Sequence, residues 1–298
     1  KQRMKLNPLA FYELYRHHNR NFYADPGFSV FHGYLVLAAD GSGINIPTTR
    51  ETLETFGTSS RKGTKPQASI GLGCLYDVMN RMILESDCCK CKFDEMRLAE
   101  EQIDRVSETI GASQPFLVVM DRGYPSTAAF IRMMEKGVLF LARLKSSDYK
   151  KEQSSLSFPD TWVDIRLDKS RINHYKGTDI GQRMEELGHI TLRMVKVPLP
   201  EGKEEVLITN LPSETFDSRR IAELYHMRWG IYISNLADDI IRDAEAELDE
   251  KEKNRKQFLA LHKIPRYPIC IIDTCSFILT TLIEPIGSSP FSFKTIAH

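Results

Sequence analysis

The sequence of 298 residues predicts an α/β fold, a layered core of strands and helices, on three observations. Two continuous apolar runs, residues 34–39 and 116–120, have the length and composition of buried strands, and each runs directly into an aspartate, Asp40 and Asp121. Segments with helical periodicity lie between and after these runs. Strand-like patterning then dominates after Ser146 before the chain turns helical again. Strands alternating with helices belong to a sheet covered by helices.

In chain order, residues 1–28 mix aromatic and basic side chains and read as a helix ending near Asp25-Pro26-Gly27. The strand 34–39 ends at Asp40, after which Gly41 and Gly43 open a loop. Residues 56–67, FGTSSRKGTKPQ, are polar, glycine-bearing and basic through Arg61, Lys62 and Lys65, which predicts an exposed loop. Residues 68–76 and 80–85 form a strand pair joined around Asp77. A helix covers 94–110, where Met96, Leu98, Ile103, Val106 and Ile110 recur at one- or two-turn spacing. The strand 116–120 comes next, then a helix over 127–136 and a strand over 138–144 that carries Arg143 and leads to Lys145.

After Ser146 the segments WVDIRLD, HITLRMVKVPL and EVLITNL read as strands between turns, a β-rich insertion between the last core strand and the next helix. From Asp217 the chain is helical, and its stretch 238–256 has the charge of a solvated surface helix. The expected division is 1–29, 30–146, 147–214 and 215–298, with the insertion as the third part.

Forty basic and forty acidic side chains cancel, so a nucleic-acid role requires positive charge that is local. Hydrophobic content of 42% and charged content of 27% are those of a soluble globular protein. The first residues lack the pattern of a signal peptide and do not start with Met, so the expected beginning lies inside a longer protein or a processed reading frame. The apolar stretch 267–283 is broken by Pro268 and Asp273 and falls short of a membrane span. Six cysteines without secretory context imply a reducing cytoplasm. Cys88, Cys89 and Cys91 sit close together and read either as half of a zinc site or as a reduced turn between a strand and a helix.

The chemistry rests on Asp40 and Asp121. In an open α/β sheet, ligands collect at the carboxyl ends of strands. Mg²⁺ takes oxygen ligands and keeps several waters, so two or three carboxylates hold it. Two such ions activate an attacking oxygen and stabilise the leaving one. Each aspartate alone also fits a turn after a strand.

Read together, LAADGSGINIP, GTKPQASIGLG with YDV, VVMDRGY and LYHMRWGI resemble the DDE transposases of bacterial insertion elements. The likeness is to the insertion-sequence-four branch, whose third motif is Tyr, two residues, Arg, three residues, Glu, six residues, Lys. It covers residues 30 to 231. It implies an RNase-H-like core, a mixed sheet with flanking helices, with a β-rich insertion before the last catalytic helix and an N-terminal helical remnant. It also implies Asp40 and Asp121 as catalytic and metal-binding acids of a two-metal Mg²⁺ or Mn²⁺ site. The further implications are DNA bearing terminal inverted repeats as partner, a homodimer, and no membrane. Tyr225 and Arg228 match the leading half of the third motif. Arg61, Lys62, Lys65, Arg143, Lys145, Tyr225 and Arg228 are the expected DNA contacts.

The chain then departs from the pattern. The Glu position holds Tyr232 and the Lys position holds Asp239. On a continuous helix Asp239 lies about 10 Å, and Glu223 about 13 Å, from position 232 along the axis, so neither replaces the acid. A tyrosine hydroxyl with a pKa of about 10 is a poor Mg²⁺ ligand. The segment beyond Ile231 is similar to material further downstream in relatives, which marks Ile231–Tyr232 as a deletion junction. The expectation is a transposase that has lost cleavage. The competing readings are a DNA-end-binding or interfering remnant and another RNase-H-like nuclease.

Overall fold

The computed structural model describes residues 7–59, 63–199 and 204–228. Among these, eight strands form one mixed sheet: β1 (Leu35–Asn45), β2 (Ser69–Asp77), β3 (Met82–Lys90), β4 (Phe116–Met120), β5 (Leu139–Arg143), β6 (Asp160–Arg166), β7 (His189–Pro198) and β8 (Glu204–Thr209). Their order is β3-β2-β1-β4-β5-β8-β7-β6. The first three pair antiparallel, β1, β4 and β5 run parallel, and β8 joins β5 antiparallel. The first five strands form one contiguous part of the sheet, with β1 at the junction between its antiparallel and parallel pairs. The segment after β5 continues the same sheet through β8, β7 and β6.

The helices are α1 (Pro8–Ala24), α2 (Arg50–Phe56), α3 (Glu95–Ile110), α4 (Thr127–Glu135), α5 (Lys150–Ser154), α6 (Lys169–Ile172), α7 (Asp179–Leu187) and α8 (Ser218–Met227). One face of the sheet, including Leu37, Ala39, Val118, Met120 and Phe140, is buried with α1, α3, α4 and α7. The other, including Val36, Leu117, Val119 and Leu141, is buried with Ile221, Leu224 and Tyr225 of α8. Burial on both faces explains why the central parallel strands are unbroken apolar runs rather than alternating ones.

Several sequence expectations need correction. β1 does not end at Asp40 but continues to Asn45. Gly41 and Gly43 are not in a loop. They stand in the β1–β2 ladder directly opposite Gly73 and Gly71. Three of these four glycines answer to packing, since a Cβ on Gly41 would come 2.9 Å from Glu95, one on Gly71 2.4 Å from the Phe93 ring and one on Gly73 2.4 Å from Leu98. The segment that leads into α3 therefore lies almost on the backbone of β1 and β2. β3 runs on to Lys90, so Cys88 and Cys89 belong to a strand, with Cys91 just after it. The segment after Ser146 also carries α5, α6 and α7, short elements whose periodicity spans too few residues to read. α2 is equally short and equally silent in the sequence, although Thr49 caps it through a reciprocal pair with Thr52.

The path into α8 is fixed by a buried cation. Arg193 of β7 is 1% exposed and binds both carboxylate oxygens of Asp160, at 2.7 and 2.5 Å. It also donates to the carbonyl of Phe216 at 2.6 Å. Asp217 caps α8 by accepting from the Arg220 amide, and Ser218 donates to Asp160 at 2.5 Å. One ion pair thus ties β6, β7 and the start of α8 together, which sets where the end of α8 points.

Candidate functional site

The parallel register of β1 and β4 ends with Ala39 opposite Met120. The next residue on each chain is an aspartate, so Asp40 and Asp121 leave this pair as neighbours. Asp121 comes directly after the end of β4, as expected. Asp40 lies inside β1, but at the point where β1 outruns its parallel partner and is paired only with β2.

From the face covered by α8, Tyr225 and Arg228 reach Asp121. The Tyr225 hydroxyl donates to Asp121 Oδ1 at 3.4 Å, and Arg228 Nη2 is 3.6 Å from the same oxygen. The Arg228 guanidinium also lies over the Tyr225 ring, 5.4 Å from its centroid. Both side chains are buried. Burial pushes the Tyr225 phenol up to about 12, with Arg228 opposing and the Asp121 charge adding. The phenol is therefore a protonated donor at neutral pH. Beside them Arg143 pairs with Glu205 of β8 at 3.2 Å. Burial raises the Glu205 carboxyl, against the pull of Arg143 and Arg228. Two arginines and two acids thus form one compact group at this end of the sheet.

Glu95, the first residue of α3, approaches from the opposite side. A Cβ on Gly41 would stand 2.9 Å from Glu95 Cγ, and one on Gly123 3.7 Å from Glu95 Oε2. Its carboxylate therefore lies between the neighbour of Asp40 and the turn after Asp121. Burial raises the Glu95 carboxyl, with the charges of Asp40 and Asp121 adding to it. Tyr124 is buried there too, and its phenol is raised by burial first, then by Glu95 and Asp40.

Asp40, Asp121, Arg143, Tyr225 and Arg228 are thus brought to one end of the sheet. Lys65 is exposed in the loop before β2, and Lys145 is exposed just past β5. Arg61, Lys62, Trp229, Tyr232 and Asp239 lie outside the described residues. Glu95, Tyr124 and Glu205 are not among the residues that the sequence singles out. A first-turn acid such as Glu95 normally reads as a complement to the helix N-terminus. The signal that points to it is the glycine pattern of GSG and GLG, read as a bared strand face rather than as a loop.

Cys74, Cys88, Cys89 and Cys91 form no disulfide. Among the described residues no three acidic, histidine or cysteine side chains already converge on a point that would hold an ion. The donors at the site are carboxylate oxygens, which suit a hard divalent cation of the Mg²⁺ type. No described helix is long and apolar enough to cross a membrane.

Comparison with known proteins finds one family model, described as "Transposase DDE domain", matching residues 31–231. No curated protein sequence matches the chain. Among solved structures it is similar to a cryo-electron microscopy structure of the piggyBac transposase synaptic complex with hairpin DNA. That likeness has 10% identity and a TM-score of 0.43, and covers 85% of this chain and 49% of the other. The chain spans about half the length of that protein.

Proposed function

The chain belongs to the transposase DDE domain family, and on that premise we propose that it engages the DNA ends of a mobile element without cutting them. The observation that carries this reading is the pairing of Asp40 and Asp121 at adjacent strand positions, with Tyr225 and Arg228 at the end of α8 turned onto Asp121. Asp40 and Asp121 would hold a divalent ion such as Mg²⁺ or Mn²⁺, whose chemistry in an intact two-metal site would be to activate the attacking oxygen and stabilise the leaving one. Arg228 and Tyr225 fix the orientation of Asp121 through Oδ1. Lys65 and Lys145, with Arg61 and Lys62, contact phosphates in a salt-dependent way. Arg143, held by Glu205, contributes to the local positive field rather than as a loose contact. The Tyr at position 232, where the motif that the chain resembles has Glu, supports the loss of cleavage, because a two-metal site tolerates little displacement of its ligands.

The test uses a duplex bearing the inverted repeats that flank the coding sequence, with a scrambled duplex beside it. The expected result is selective retention of the repeat duplex at moderate salt and no strand cleavage with Mg²⁺ or Mn²⁺. Cleavage that vanishes in Asp121→Ala would overturn the claim that cutting is lost. Equal retention of both duplexes with one salt slope would sink end recognition, leaving only phosphate attraction.

A further inference from the structure

We propose that β6 is an interface between two copies of this chain, pairing antiparallel with the β6 of a second copy about a two-fold axis at Val163. The interface is independent of Asp40, Asp121 and DNA, and lies at the other end of the strand order.

β6 is the last strand in the order of the sheet, so one side of it is paired with β7 and the other has no strand beside it among the described residues. The bonds that flank this ladder fix which groups point outward. The Lys196 amide donates to the Pro159 carbonyl at 2.7 Å, and the Leu167 amide donates to the Gly188 carbonyl at 2.9 Å. Hydrogen-bonded pairs alternate along an antiparallel ladder, so the odd-numbered residues of β6 bond to β7. The N–H and C=O groups of Asp160, Trp162, Asp164 and Arg166 therefore point away from it. The opposite edge of the sheet is built differently. The register of β3 against β2 shifts between Leu75 and Tyr76, and β3 carries Glu85 and Asp87. Bulges and repelling charges are devices that keep an edge from pairing. β6 instead holds an unbroken register from Asp160 to Arg166.

Two copies of such an edge pair only in registers that set the outward residues against one another. A two-fold axis at Trp162 sets Asp160 against the second copy's Asp164, and an axis at Asp164 sets that aspartate against itself. An axis at Val163 pairs the strand over its whole length and sets Asp160 against Arg166 at both ends. Arg166 is exposed. Asp160 keeps 28% of its side chain exposed beside Arg193, and a carboxylate has lone pairs for a further donor. Asp164, the charge not answered across the axis, accepts from Thr191 Oγ1 at 2.6 Å within its own sheet. Trp162 is 45% exposed, and in this register it stands diagonal to the second copy's Trp162, within reach of an aromatic contact. On the other face Val163 meets its own copy as a close pair without hydrogen bonds. The simpler reading is that the charges of β6 blunt a free edge. Charge blunts an edge by repelling an incoming copy, whereas in the full-length register these charges attract.

The experiment is sedimentation velocity on the whole chain, without DNA, over a series of micromolar concentrations. The parent should sediment as a dimer in exchange with monomer. Asp164→Pro removes an outward N–H but no bond to β7, and should leave only monomer. Arg166→Glu places like charges together at both ends of the pair and should weaken association by at least about tenfold, whereas Arg166→Lys should retain most of it. Urea unfolding checks that each variant is folded, and if Asp164→Pro is not, the exposed change Arg166→Glu decides. Val163→Cys reads the register under mild oxidation with oxidised glutathione, the bridged peptides being identified by mass spectrometry. The expected product links position 163 of one chain to position 163 of another, because such a pair brings its Cα atoms to about 4.5 Å, within disulfide range. Trp162→Cys should give little of the corresponding product, since its two copies lie on a diagonal. A monomeric parent, a dimer unaffected by Arg166→Glu, or a bridge formed at 162 and not at 163 overturns the proposal.

Discussion

Arg228 and Asp121 meet at 3.6 Å, Nη2 to Oδ1, across the end of the parallel strand pair. The guanidinium is buried whereas the carboxylate is partly exposed, and Tyr225 shares the same oxygen at 3.4 Å. The first and last residues of the sequence YHMR thus act as one unit on Asp121, with the ring of one under the guanidinium of the other. Removing the charge and removing the hydroxyl should therefore differ in cost. Arg228→Met leaves Asp121 without its buried cation and should lose about 2 kcal/mol, below the full cost of breaking a wholly buried pair because Asp121 is partly solvated. Tyr225→Phe keeps the buried ring and loses one long hydrogen bond, less than about 1 kcal/mol. Urea unfolding of both variants gives the ranking, and the reverse order would show that the phenol, not the cation, holds α8 to the site.

The glycine rows make a second ranking. A Cβ on Gly71 would lie 2.7 Å from the carbonyl oxygen of Lys90 as well as against Phe93, and backbone cannot step aside. A Cβ on Gly73 meets the end of the Leu98 side chain, which has other rotamers. Gly71→Ala should cost about 1–3 kcal/mol and Gly73→Ala less, since overpacking is relieved only where something can move. Equal midpoints in denaturant would mean that β2 shifts as a whole.

These glycines also show where sequence reading succeeds and fails. The runs at 34–39 and 116–120 are legible because strands buried on both faces carry apolar residues at every position. The start of α3 is legible because Asp94 is a capping residue before a periodic segment. Gly41 and Gly43 read as a loop because glycine in a turn and glycine in a strand are the same letter, and only the partner strand tells them apart. The link between Asp121 and Tyr225 is available only as a family likeness. The contact joins residues 104 positions apart, and no local pattern reports such a distance. Glu205 is illegible for a related reason, since its role comes from Arg143 on the neighbouring strand.

Asp77 makes a pH prediction. It is fully buried, and burial lifts its carboxyl above the ordinary range despite donors from Asn80, Tyr23 and Met79. An unfolded aspartate titrates at about 3.9. Between that value and the raised folded one, the native state holds a proton that the unfolded chain has lost, so stability falls as pH rises through this window. Asp77→Asn removes the linkage. Unfolding midpoints measured from pH 4 to pH 7 should therefore slope down less steeply in the variant than in the parent. Parallel curves would show that Asp77 titrates in the fold as it does in the unfolded chain.

The ion pair of Arg193 and Asp160 titrates in the opposite sense. Hydrogen bonds from Arg193 hold the Asp160 carboxyl below the ordinary range, with Ser218 assisting. Its stabilisation is thus complete above about pH 4, the unfolded value, and is lost as pH falls through the lowered folded one. Removing the acid alone is the harsher change, because Arg193 is fully buried and keeps only carbonyl partners at Leu211 and Phe216. Asp160→Ala should cost about 3 kcal/mol, the lower end for breaking a buried pair, since Asp160 is itself partly exposed. The double change Arg193→Met with Asp160→Leu should recover much of that loss, because apolar replacement of both partners leaves no stranded charge. Both proteins can be compared by urea unfolding at neutral pH, with fluorescence of Trp162 on β6 as a local probe. If the double variant is no more stable than Asp160→Ala, the guanidinium is needed for its bonds to the backbone before α8, and not only to answer the carboxylate.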